Sequence, residues 1–309
     1  MQSVRIHGYG MPLVLDEVPV PEIGPGDVLV RVKAASFNPL DVKLQSRAIH
    51  DFFPLTFPYT LGTDLSGTVE RVGSSATRWH DGDPIVARVD PTSGGALAEF
   101  AVVPAAYLAA APKTVSLEEA AGIPTVACTA WKALFESVHL KREQTVLIHA
   151  GAGGVGSFAI QFAHKAGARV IATASGSGID IARRLGADQV IDYTAEDFTK
   201  AVSGVDVVLD TVAGETQQRS FGVLRPGGVL VATPSPPDEE SAKSHNVTAA
   251  FVFYQSDGSL LQTVVEAIDA DEATIIVDRK FPLTGFSDAF AYQASGRARG
   301  KILVSVSKW

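Results

Sequence analysis

The residues best suited to chemistry are glycines near the middle of the chain. Residues 151–156 read Gly-Ala-Gly-Gly-Val-Gly, which contains the spacing Gly-x-Gly-x-x-Gly. In such a loop one glycine permits a tight turn, a second lets backbone N–H groups approach a pyrophosphate, and the third lets a helix pack closely on a strand. The N-terminus of that helix offers unpaired N–H groups and a partial positive charge. We therefore predict that a dinucleotide is bound by Gly151, Gly153, Gly154, Val155 and Gly156.

The elements around the glycines decide how much this pattern means, because the spacing alone also fits a glycine-rich turn without a ligand. An apolar strand is predicted over Thr145–Ala150 and an apolar helix over Val155–Ala166. Strand, glycine loop and helix in this order are what dinucleotide binding requires.

The end of the next predicted strand indicates which dinucleotide is bound. An NAD site usually places Asp or Glu about 20 residues beyond the glycine motif, to accept a hydrogen bond from the ribose. Residues 173–178 read Thr-Ala-Ser-Gly-Ser-Gly and hold no carboxylate there. Ser175 and Ser177 can donate to a 2′-phosphate, and Arg183 or Arg184 either adds positive charge or belongs to a solvated helix face. The pattern favours NADPH.

The elements that must position this loop form an alternating series. Strands are predicted over 145–150, 169–173, 189–193, 205–211 and 229–233, with helices over 155–166, 179–185 and 215–224. Repeated βα units predict a parallel sheet covered on both faces. A loop is predicted over 234–246, followed by a strand over 247–254, a helix over 258–268 and a strand over 275–278.

Both ends of the chain have a different character. The first hundred or so residues predict short strands separated by Pro and Gly, over 28–34, 64–71, 84–88 and 95–103. This pattern is typical of a barrel-like β domain. Helical segments are predicted over 117–121 and 125–137, and the tail from residue 281 predicts a helix over 288–295 and a final strand over 302–306.

Composition and charge exclude several classes of protein. Hydrophobic residues make up 46% of the 309 residues and charged residues 19%, the balance of a soluble globular protein. The net charge of −8 argues against a nucleic-acid partner, which requires a basic surface. The single cysteine, Cys128, predicts a buried core residue. The sequence shows neither a signal peptide nor an apolar run of membrane-spanning length, so we expect no membrane partner and a cytoplasmic location.

Several short motifs together resemble a known family. They are Asn38-Pro-Leu-Asp-Val-Lys43, Leu61-Gly-Thr-Asp-Leu-Ser-Gly67, Gly94-Gly-Ala-Leu-Ala-Glu-Phe100, the glycine loop with Gln161-Phe-Ala163 and Gly167-Ala168, Leu185-Gly-Ala-Asp188, Ile191-Asp-Tyr193 and Gly296-Arg-Ala-Arg-Gly-Lys-Ile302. Their order and spacing resemble the zinc-independent quinone oxidoreductase branch of the medium-chain dehydrogenases/reductases, which includes alkenal and enone reductases. The resemblance covers nearly the whole chain.

The resemblance implies an α/β fold. A GroES-like β-barrel catalytic domain would comprise residues 1–112 and 255–309, and a doubly wound Rossmann domain would be inserted over 113–254. It also implies a cofactor in the cleft between the domains and a homodimer formed through Rossmann edge strands.

Further site residues follow from the resemblance alone. Ser175 and Tyr193 match positions that contact the 2′-phosphate, although relatives often carry Lys or Arg where this chain has Gly178. The other positions expected to bind the cofactor are Asn38, Lys43, Thr129, Thr211, Val212, Phe251, Val252 and Lys301. Phe52, Phe53 and Phe57 either wall an apolar substrate pocket or pack in the core.

Zinc ligands are not expected. Zinc alcohol dehydrogenases bind their catalytic metal through three protein ligands, commonly Cys, His and an acid. This chain has Asn38 in place of the first Cys, no His-Glu pair in the second-ligand region Leu61-Gly-Thr-Asp64, and no four-cysteine loop. The seven histidines show no ligand spacing, and we expect them on the surface or in a cleft.

Without a metal to stabilise an alkoxide, reduction of an electrophilic acceptor is the easier reaction. We expect hydride transfer from NADPH to a quinone or to the β-carbon of an enone. Lys43 is the expected donor to the acceptor oxygen, and Tyr59 or solvent is expected to supply a proton. Two alternatives remain: an enoyl-thioester reductase of a biosynthetic pathway, and a non-catalytic NADPH-binding sensor, because the motif detects binding and not turnover.

Overall fold

A computed structural model describes residues 1–306. The strands of this part of the chain are β1 (Gln2–Ile6), β2 (Val14–Glu17), β3 (Asp27–Phe37), β4 (Tyr59–Thr60), β5 (Asp64–Val72), β6 (Pro84–Arg88), β7 (Phe100–Pro104), β8 (Leu108–Ala110), β9 (Thr145–Ile148), β10 (Arg169–Ala174), β11 (Gln189–Asp192), β12 (Val205–Asp210), β13 (Leu224–Ala232), β14 (Thr248–Phe251), β15 (Val277–Pro282) and β16 (Lys301–Ser305).

The α-helices of the same part of the chain are α1 (Pro39–Gln45), α2 (Leu117–Ala120), α3 (Pro124–Trp131), α4 (Gly154–Lys165), α5 (Gly178–Arg184), α6 (Phe198–Ala201), α7 (Gly214–Ser220), α8 (Glu239–Ser244), α9 (Gly258–Asp269) and α10 (Phe286–Ala294). A π-helix over Lys132–Ser137 follows α3 directly. None of the helices described is long and apolar enough to cross a membrane.

The chain divides into two compact units. Unit 1 contains Met1–Thr125, Gln255–Asp271 and the described residues from Val277 to 306, and unit 2 contains Val126–Tyr254 and Glu272–Ile276. Two segments therefore lie in a different unit from the one the sequence analysis assigned to them: 113–125 belongs to unit 1, and 272–276 belongs to unit 2.

Hydrogen bonds explain both differences. Ala121 is fully buried, and its carbonyl accepts a 2.9 Å hydrogen bond from the Ser36 hydroxyl of β3, which ties the segment after α2 to the β-rich unit. The side-chain amide of Gln161 in α4 forms two hydrogen bonds with the backbone of Thr274, accepting from its N–H at 2.8 Å and donating to its carbonyl at 2.9 Å. These bonds attach the segment 272–276 to unit 2.

Unit 1 is built on a seven-stranded sheet in the order β15-β16-β3-β5-β6-β8, with β7 also paired to β3. Strand β16, the last strand among the described residues, pairs antiparallel with β3, so segments that precede and follow unit 2 in the sequence share one sheet. A smaller sheet, β2-β1-β4, completes the unit. The expected GroES-like domain built from both chain ends is confirmed as a fold.

Unit 2 contains a six-stranded sheet in the order β11-β10-β9-β12-β13-β14, and every pair in it is parallel. Numbered from β9, this order is 3-2-1-4-5-6, the Rossmann order. Strand β12 is buried along nearly its whole length, as expected of a parallel strand covered on both faces. The doubly wound parallel sheet predicted from the sequence is confirmed.

Some predicted elements differ from those observed. The strand expected over 95–103 is only β7, because Gly94 and Gly95 adopt φ values of 60° and 113°, which a strand does not allow. The loop expected over 234–246 contains α8, whose N-terminus is capped by Asp238 accepting from the Glu240 and Ser241 amides. Helix α1 was not predicted as a helix.

Candidate functional site

The two central strands of the unit 2 sheet meet where its strand order reverses. Strand β9 lies between β10 and β12, and the chain leaves β9 towards β10 on one side while β12 begins the other half of the sheet. In open α/β sheets, ligands bind at this switch point, outside the carboxyl ends of the strands. Residues 149–153, which we call the glycine loop, connect β9 to α4 at this point.

Two glycines are required here for steric reasons: Gly151 within the glycine loop and Gly156 in the first turn of α4. A Cβ atom at Gly156 would lie 2.3 Å from the Ala150 carbonyl oxygen, and one at Gly151 would lie 2.8 Å from the Ala172 Cβ. Ala150 itself adopts a φ of 50°, and its carbonyl accepts from the Gly153 N–H at 2.8 Å. Close packing of strand, loop and helix therefore requires Gly151 and Gly156, as the spacing indicated.

Gly153 has a different role. It caps α4 with extended backbone (φ −79°, ψ 175°), and a Cβ there would approach only Ala150, with its carbonyl oxygen at 3.2 Å. The first turn of α4 begins at Gly154 and continues through Val155 and Gly156, whose amides have no acceptor in a preceding helical turn. Such N–H groups, at the positive end of a helix dipole, are able to bind an anion such as a pyrophosphate.

Ser175 and Tyr193 are brought together beyond the ends of β10 and β11. The Ser175 hydroxyl donates a 3.0 Å hydrogen bond to the Tyr193 hydroxyl, and 58% of Tyr193 is exposed. The nearest acid on β11, Asp192, accepts from the amide and hydroxyl of Thr194. The exposed pair of hydroxyls can therefore contact a 2′-phosphate.

Two arginines do not join this pair. Arg183 and Arg184 lie in the last turn of α5, five and six residues beyond its first residue, so the helical rise places them about 8 Å along the axis from its N-terminus. The Arg183 guanidinium lies 3.5 Å from Asp180 on the same helix. They belong to a solvated helix face.

Four other expected cofactor residues lie at or just beyond strand ends in unit 2, and Thr129 lies in α3. Val212 and Phe251, which follow β12 and end β14, are 48% and 44% exposed although they are large and apolar. The Thr211 hydroxyl donates to the His149 carbonyl at 2.8 Å. Val252 and Thr129 are largely buried, with 3% and 7% of their surface exposed. Exposed apolar side chains at the carboxyl edge of the sheet are suited to covering a cofactor's rings.

His149 is a residue that the sequence analysis placed wrongly. It was expected on the surface or in a cleft, but it is 1% exposed and burial lowers its pKa to about 4. Its Nδ1 lies 3.2 Å from the Thr173 hydroxyl and its Nε2 lies 2.9 Å from the Ser220 hydroxyl. Its position two residues before Gly151, the first glycine of the motif, was the signal that the sequence offered.

In unit 1, Asn38 and Lys301 are parts of a buried polar cluster. The Lys301 ammonium donates to the Asn38 amide oxygen at 2.6 Å and to the Phe37 carbonyl at 3.0 Å, and lies 3.6 Å from the Asp64 carboxylate. The Asn38 amide group donates to Asp64 at 2.9 Å, and Asp64 also accepts from the Thr125 hydroxyl at 2.6 Å.

Burial and a nearby carboxylate act on the pKa of Lys301 in opposite directions. Lys301 is 3% exposed, and loss of solvent lowers its pKa while the carboxylate of Asp64 raises it. All three ammonium donors face oxygen atoms of unit 1. The contact that the structure shows for Lys301 is with Asn38, and its expected binding of the cofactor stays a prediction.

Asn38 also begins the helix that carries Lys43. Its N–H donates to the Asp41 carboxyl at 2.7 Å, and Pro39 occupies the first position of α1, where its missing N–H costs nothing. Asp41 is fully buried, its second oxygen has no partner among the described residues, and burial raises its pKa to about 7. Lys43 is half-buried in the last turn of α1.

The structure contradicts the expected role of Tyr59. Its side chain is 3% exposed within the apolar core of unit 1, and its hydroxyl donates to the Pro91 carbonyl at 2.7 Å. Burial raises the pKa of the phenol further above its ordinary value. A hydroxyl whose proton is held by a backbone carbonyl in the core is a packing group and not a proton donor. Of the three phenylalanines, Phe57 packs against this core and Phe52 is 77% exposed.

The residues present do not fit zinc. Among residues 1–306, no group of three His, Cys, Asp or Glu side chains is arranged to hold a metal ion. Cys128 is buried. Asn38 stands where the first zinc ligand would be expected. Its amide donates to Asp64 and accepts from Lys301, and the Lys301 ammonium also lies beside the Asp64 carboxylate.

Comparisons with known proteins agree with this architecture. Residues 24–113 match the family model described as alcohol dehydrogenase GroES-like domain, and residues 185–304 match the model described as zinc-binding dehydrogenase. A chloroplastic quinone oxidoreductase, QR1 of Triphysaria versicolor, is 32% identical over 98% of this chain and 98% of its own length.

A chloroplastic NADPH-dependent alkenal/one oxidoreductase of Arabidopsis thaliana is 35% identical, over 92% of this chain and 73% of its own length. The solved structure of Escherichia coli quinone oxidoreductase complexed with NADPH superposes with a TM-score of 0.90 at 25% identity, over 99% of this chain and 100% of that one. The chain therefore belongs to the medium-chain dehydrogenase/reductase family of oxidoreductases, in the branch that contains the quinone and alkenal/one oxidoreductases.

Proposed function

We propose that this protein is an NADPH-dependent oxidoreductase that reduces a quinone, or the activated carbon–carbon double bond of an α,β-unsaturated carbonyl compound, without zinc. The observation that carries the proposal is the glycine loop at the switch point of a Rossmann sheet, with the Ser175–Tyr193 hydroxyl pair at the end of the next two strands. The relatives named quinone and alkenal/one oxidoreductases support the same class of reaction.

The cofactor is held by residues of unit 2. The amides of Gly154, Val155 and Gly156 receive the pyrophosphate, because they are unpaired within the helix and lie at the positive end of its dipole. Ser175 and Tyr193 donate to the 2′-phosphate, where an acidic residue would instead favour NADH. Thr129, Thr211, Val212, Phe251 and Val252 line the remainder of the cofactor.

A charge introduced at Ser175 tests this assignment. Ser175→Asp places a carboxylate where the 2′-phosphate is proposed, and we expect the ratio of NADPH to NADH affinity to fall by at least tenfold, or about 1.4 kcal/mol. Isothermal titration calorimetry with both dinucleotides measures the ratio. Ser203→Asp is the matched control, because Ser203 is exposed before the amino end of β12, at the opposite edge of the sheet. An unchanged ratio in Ser175→Asp contradicts the assignment.

The reduction itself needs a group that stabilises negative charge. When bound, NADPH supplies a hydride to the acceptor, and negative charge then develops on the quinone or carbonyl oxygen. A preorganised cation near that oxygen lowers the barrier. Lys43 is proposed for this role, on a helix whose start is fixed by the Asn38–Asp41 hydrogen bond. Solvent supplies the proton, because the Tyr59 hydroxyl is buried and donates its proton to the Pro91 carbonyl.

Acceptor specificity is tested by stopped-flow mixing of NADPH-loaded protein with a quinone, an enone and an enoyl thioester, following NADPH absorbance. We expect rapid oxidation by the quinone or the enone, and a rate at least tenfold lower in Lys43→Met with an unchanged NADPH dissociation constant. Preference for the thioester would instead favour the enoyl-thioester reductase. Binding of NADPH without oxidation by any acceptor would favour the sensor.

Independence from zinc is proposed from the buried Lys301–Asn38–Asp64 contacts, because the Lys301 ammonium lies 3.6 Å from the Asp64 carboxyl group and would oppose a metal ion there. Dialysis against a chelator, followed by metal analysis and the same assay, should leave the rate unchanged. A rate that disappears on dialysis and returns with zinc would refute it.

A homodimer is also proposed. Strand β14 lies at the edge of the unit 2 sheet and is partly exposed, so one side of it can pair with the same strand of a second copy. Light scattering coupled to size-exclusion chromatography measures the mass; a particle of 32.5 kDa at micromolar concentration would contradict this proposal.

A further inference from the structure

His149 lies at the centre of a hydrogen-bond chain beneath the glycine loop. The Ser220 hydroxyl donates to the Thr216 carbonyl at 2.6 Å, so it accepts from the Nε2–H of His149. In a neutral imidazole the other nitrogen is then an acceptor. The Thr173 hydroxyl therefore donates to Nδ1, across 3.2 Å.

The same hydroxyl reaches the glycine loop. The Ala150 N–H donates to the Thr173 hydroxyl oxygen at 3.2 Å, and the Gly151 N–H donates to the Thr173 carbonyl at 2.8 Å. Ala150 has a φ of 50°, a conformation that costs a non-glycine residue energy and persists only where surrounding contacts enforce it. Thr173 provides two of these contacts.

The main chain of His149 fixes the other side of the switch point. Its carbonyl accepts from the Thr211 hydroxyl at 2.8 Å, and its N–H donates to the Leu209 carbonyl at 3.0 Å. One residue thus joins the ends of β9, β10 and β12, the three strands around the loop. Its ring also packs edge-on against Phe198, with centroids 4.8 Å apart.

We propose that His149 is a positioning residue for cofactor binding: its Nδ1 orients the Thr173 hydroxyl, which holds Ala150 and so sets the glycine loop in the shape that receives the pyrophosphate. The imidazole itself does not contact the cofactor. Burial lowers the pKa of His149 to about 4, which keeps the ring neutral and Nδ1 available as an acceptor at physiological pH. The carboxyl group that acts on its pKa in the opposite direction is Asp210, which accepts hydrogen bonds from the Val212 and Ala213 amides and from Gln217.

A matched pair of substitutions separates positioning from packing. The amide oxygen of Asn in His149→Asn can take the place of Nδ1 and accept from Thr173, whereas the amide of Gln in His149→Gln reaches the place of Nε2 and donates to Ser220. Positioning predicts that His149→Asn binds NADPH within threefold of the wild type and that His149→Gln binds about tenfold more weakly, the cost of about one hydrogen bond. A packing role predicts the reverse order, because Asn leaves the larger cavity.

Substitutions of Thr173 provide a second test of the positioning role. Thr173→Val removes the hydroxyl and keeps the shape, so we expect the KM for NADPH to rise about tenfold while kcat at saturating NADPH stays within twofold, because the loop binds cofactor and does not react. Thr173→Ser should restore the KM. His164→Gln, at an exposed histidine of the same unit, is the control.

Amide hydrogen exchange of the cofactor-free protein tests the loop directly. We expect faster exchange in peptides covering 146–156 of Thr173→Val and His149→Gln, with exchange elsewhere in unit 2 unchanged. The inference rests on the proposed NADPH site, and the two fail differently. If the wild type does not bind NADPH, the proposed function is wrong; if it binds but His149→Gln and Thr173→Val bind equally well, or His149→Asn is the weaker binder of its pair, the positioning role is wrong.

Discussion

Replacing Asp41 by Asn should make the protein more stable at alkaline pH, although it removes a charge next to Lys301. Asp41 is fully buried, one of its oxygens has no partner among the described residues, and burial raises its pKa to about 7. Asn has the same shape and keeps an oxygen that can accept from the Asn38 N–H. At pH 8 the wild type must hold a carboxylate in this place, whereas the variant holds a neutral amide.

The sign follows from the direction of the pKa change. The folded value of about 7 lies above the unfolded value of 3.8, so the folded state binds more protons between these values. This stabilising contribution is complete below pH 3.8 and is lost as the pH rises through 7. A gap of about three pH units at 1.36 kcal/mol each corresponds to about 4 kcal/mol at pH 8, of which about 2 kcal/mol is already lost at pH 5. Asp41→Asn should therefore gain about 2 to 3 kcal/mol relative to the wild type between pH 5 and pH 8.

Urea denaturation at pH 5, 6.5 and 8 measures this difference. Because two compact units can unfold separately, both proteins should carry Trp131→Phe and Trp309→Phe, which leaves Trp79 in the core of unit 1 as the single tryptophan. His149 titrates in the same range with the opposite sign, since its folded pKa lies below 6.5, but it is common to both proteins and cancels in the difference. Asp51→Asn, at an exposed acid, is the control. A free-energy difference between Asp41→Asn and the wild type that does not change with pH would refute the reasoning.

Three further substitutions follow from the structure. Gly153→Asp should fold and lose NADPH binding in calorimetry, because its Cβ would meet only Ala150, 3.2 Å from the carbonyl oxygen, while its carboxylate would oppose the pyrophosphate; NADPH affinity equal to the wild type would contradict the site. Gly156→Ala should lose about 1–3 kcal/mol of stability to urea as well as cofactor affinity, because its Cβ would lie 2.3 Å from a carbonyl oxygen. Tyr59→Phe should lose about 1 kcal/mol of stability with kcat within twofold of the wild type, and a tenfold fall in kcat of the folded variant would restore Tyr59 as a proton donor.

The Rossmann sheet could be predicted from the sequence because its strands carry their signal locally. Strand β12 and the helix α4 are nearly continuous apolar runs, and the glycine loop between β9 and α4 has a fixed spacing. Strand order is not local information, and it entered the sequence analysis only through the resemblance to a family. Helix α1 was missed although Asn38-Pro39 is a helix-start signal, because the motif was considered only for its chemistry.

The contacts of the candidate site that the sequence could not predict involve residues far apart in the chain. Lys301 and Asn38 are separated by 263 residues and meet only when β16 pairs with β3. Tyr59 donates to Pro91, 32 residues away, after both have entered the core of unit 1. Such contacts decide whether a lysine or a tyrosine side chain faces a ligand or a backbone carbonyl. A short sequence motif does not contain both partners of the contact, so it cannot predict them.

These supporting groups share a physical cause. The segments proposed to act on cofactor and substrate begin where regular secondary structure ends, at the start of α1 and at the glycine loop, and backbone groups there are not satisfied by helix or sheet bonds. A buried N–H without a partner costs about 1–3 kcal/mol, so such a segment keeps one shape only if side chains supply the missing acceptors. Asp41 does this for Asn38, and Thr173, oriented by His149, does it for Ala150. Buried polar residues next to a proposed site should therefore be considered first as its supports, and as reacting groups only where a donor or acceptor remains that the protein itself does not use.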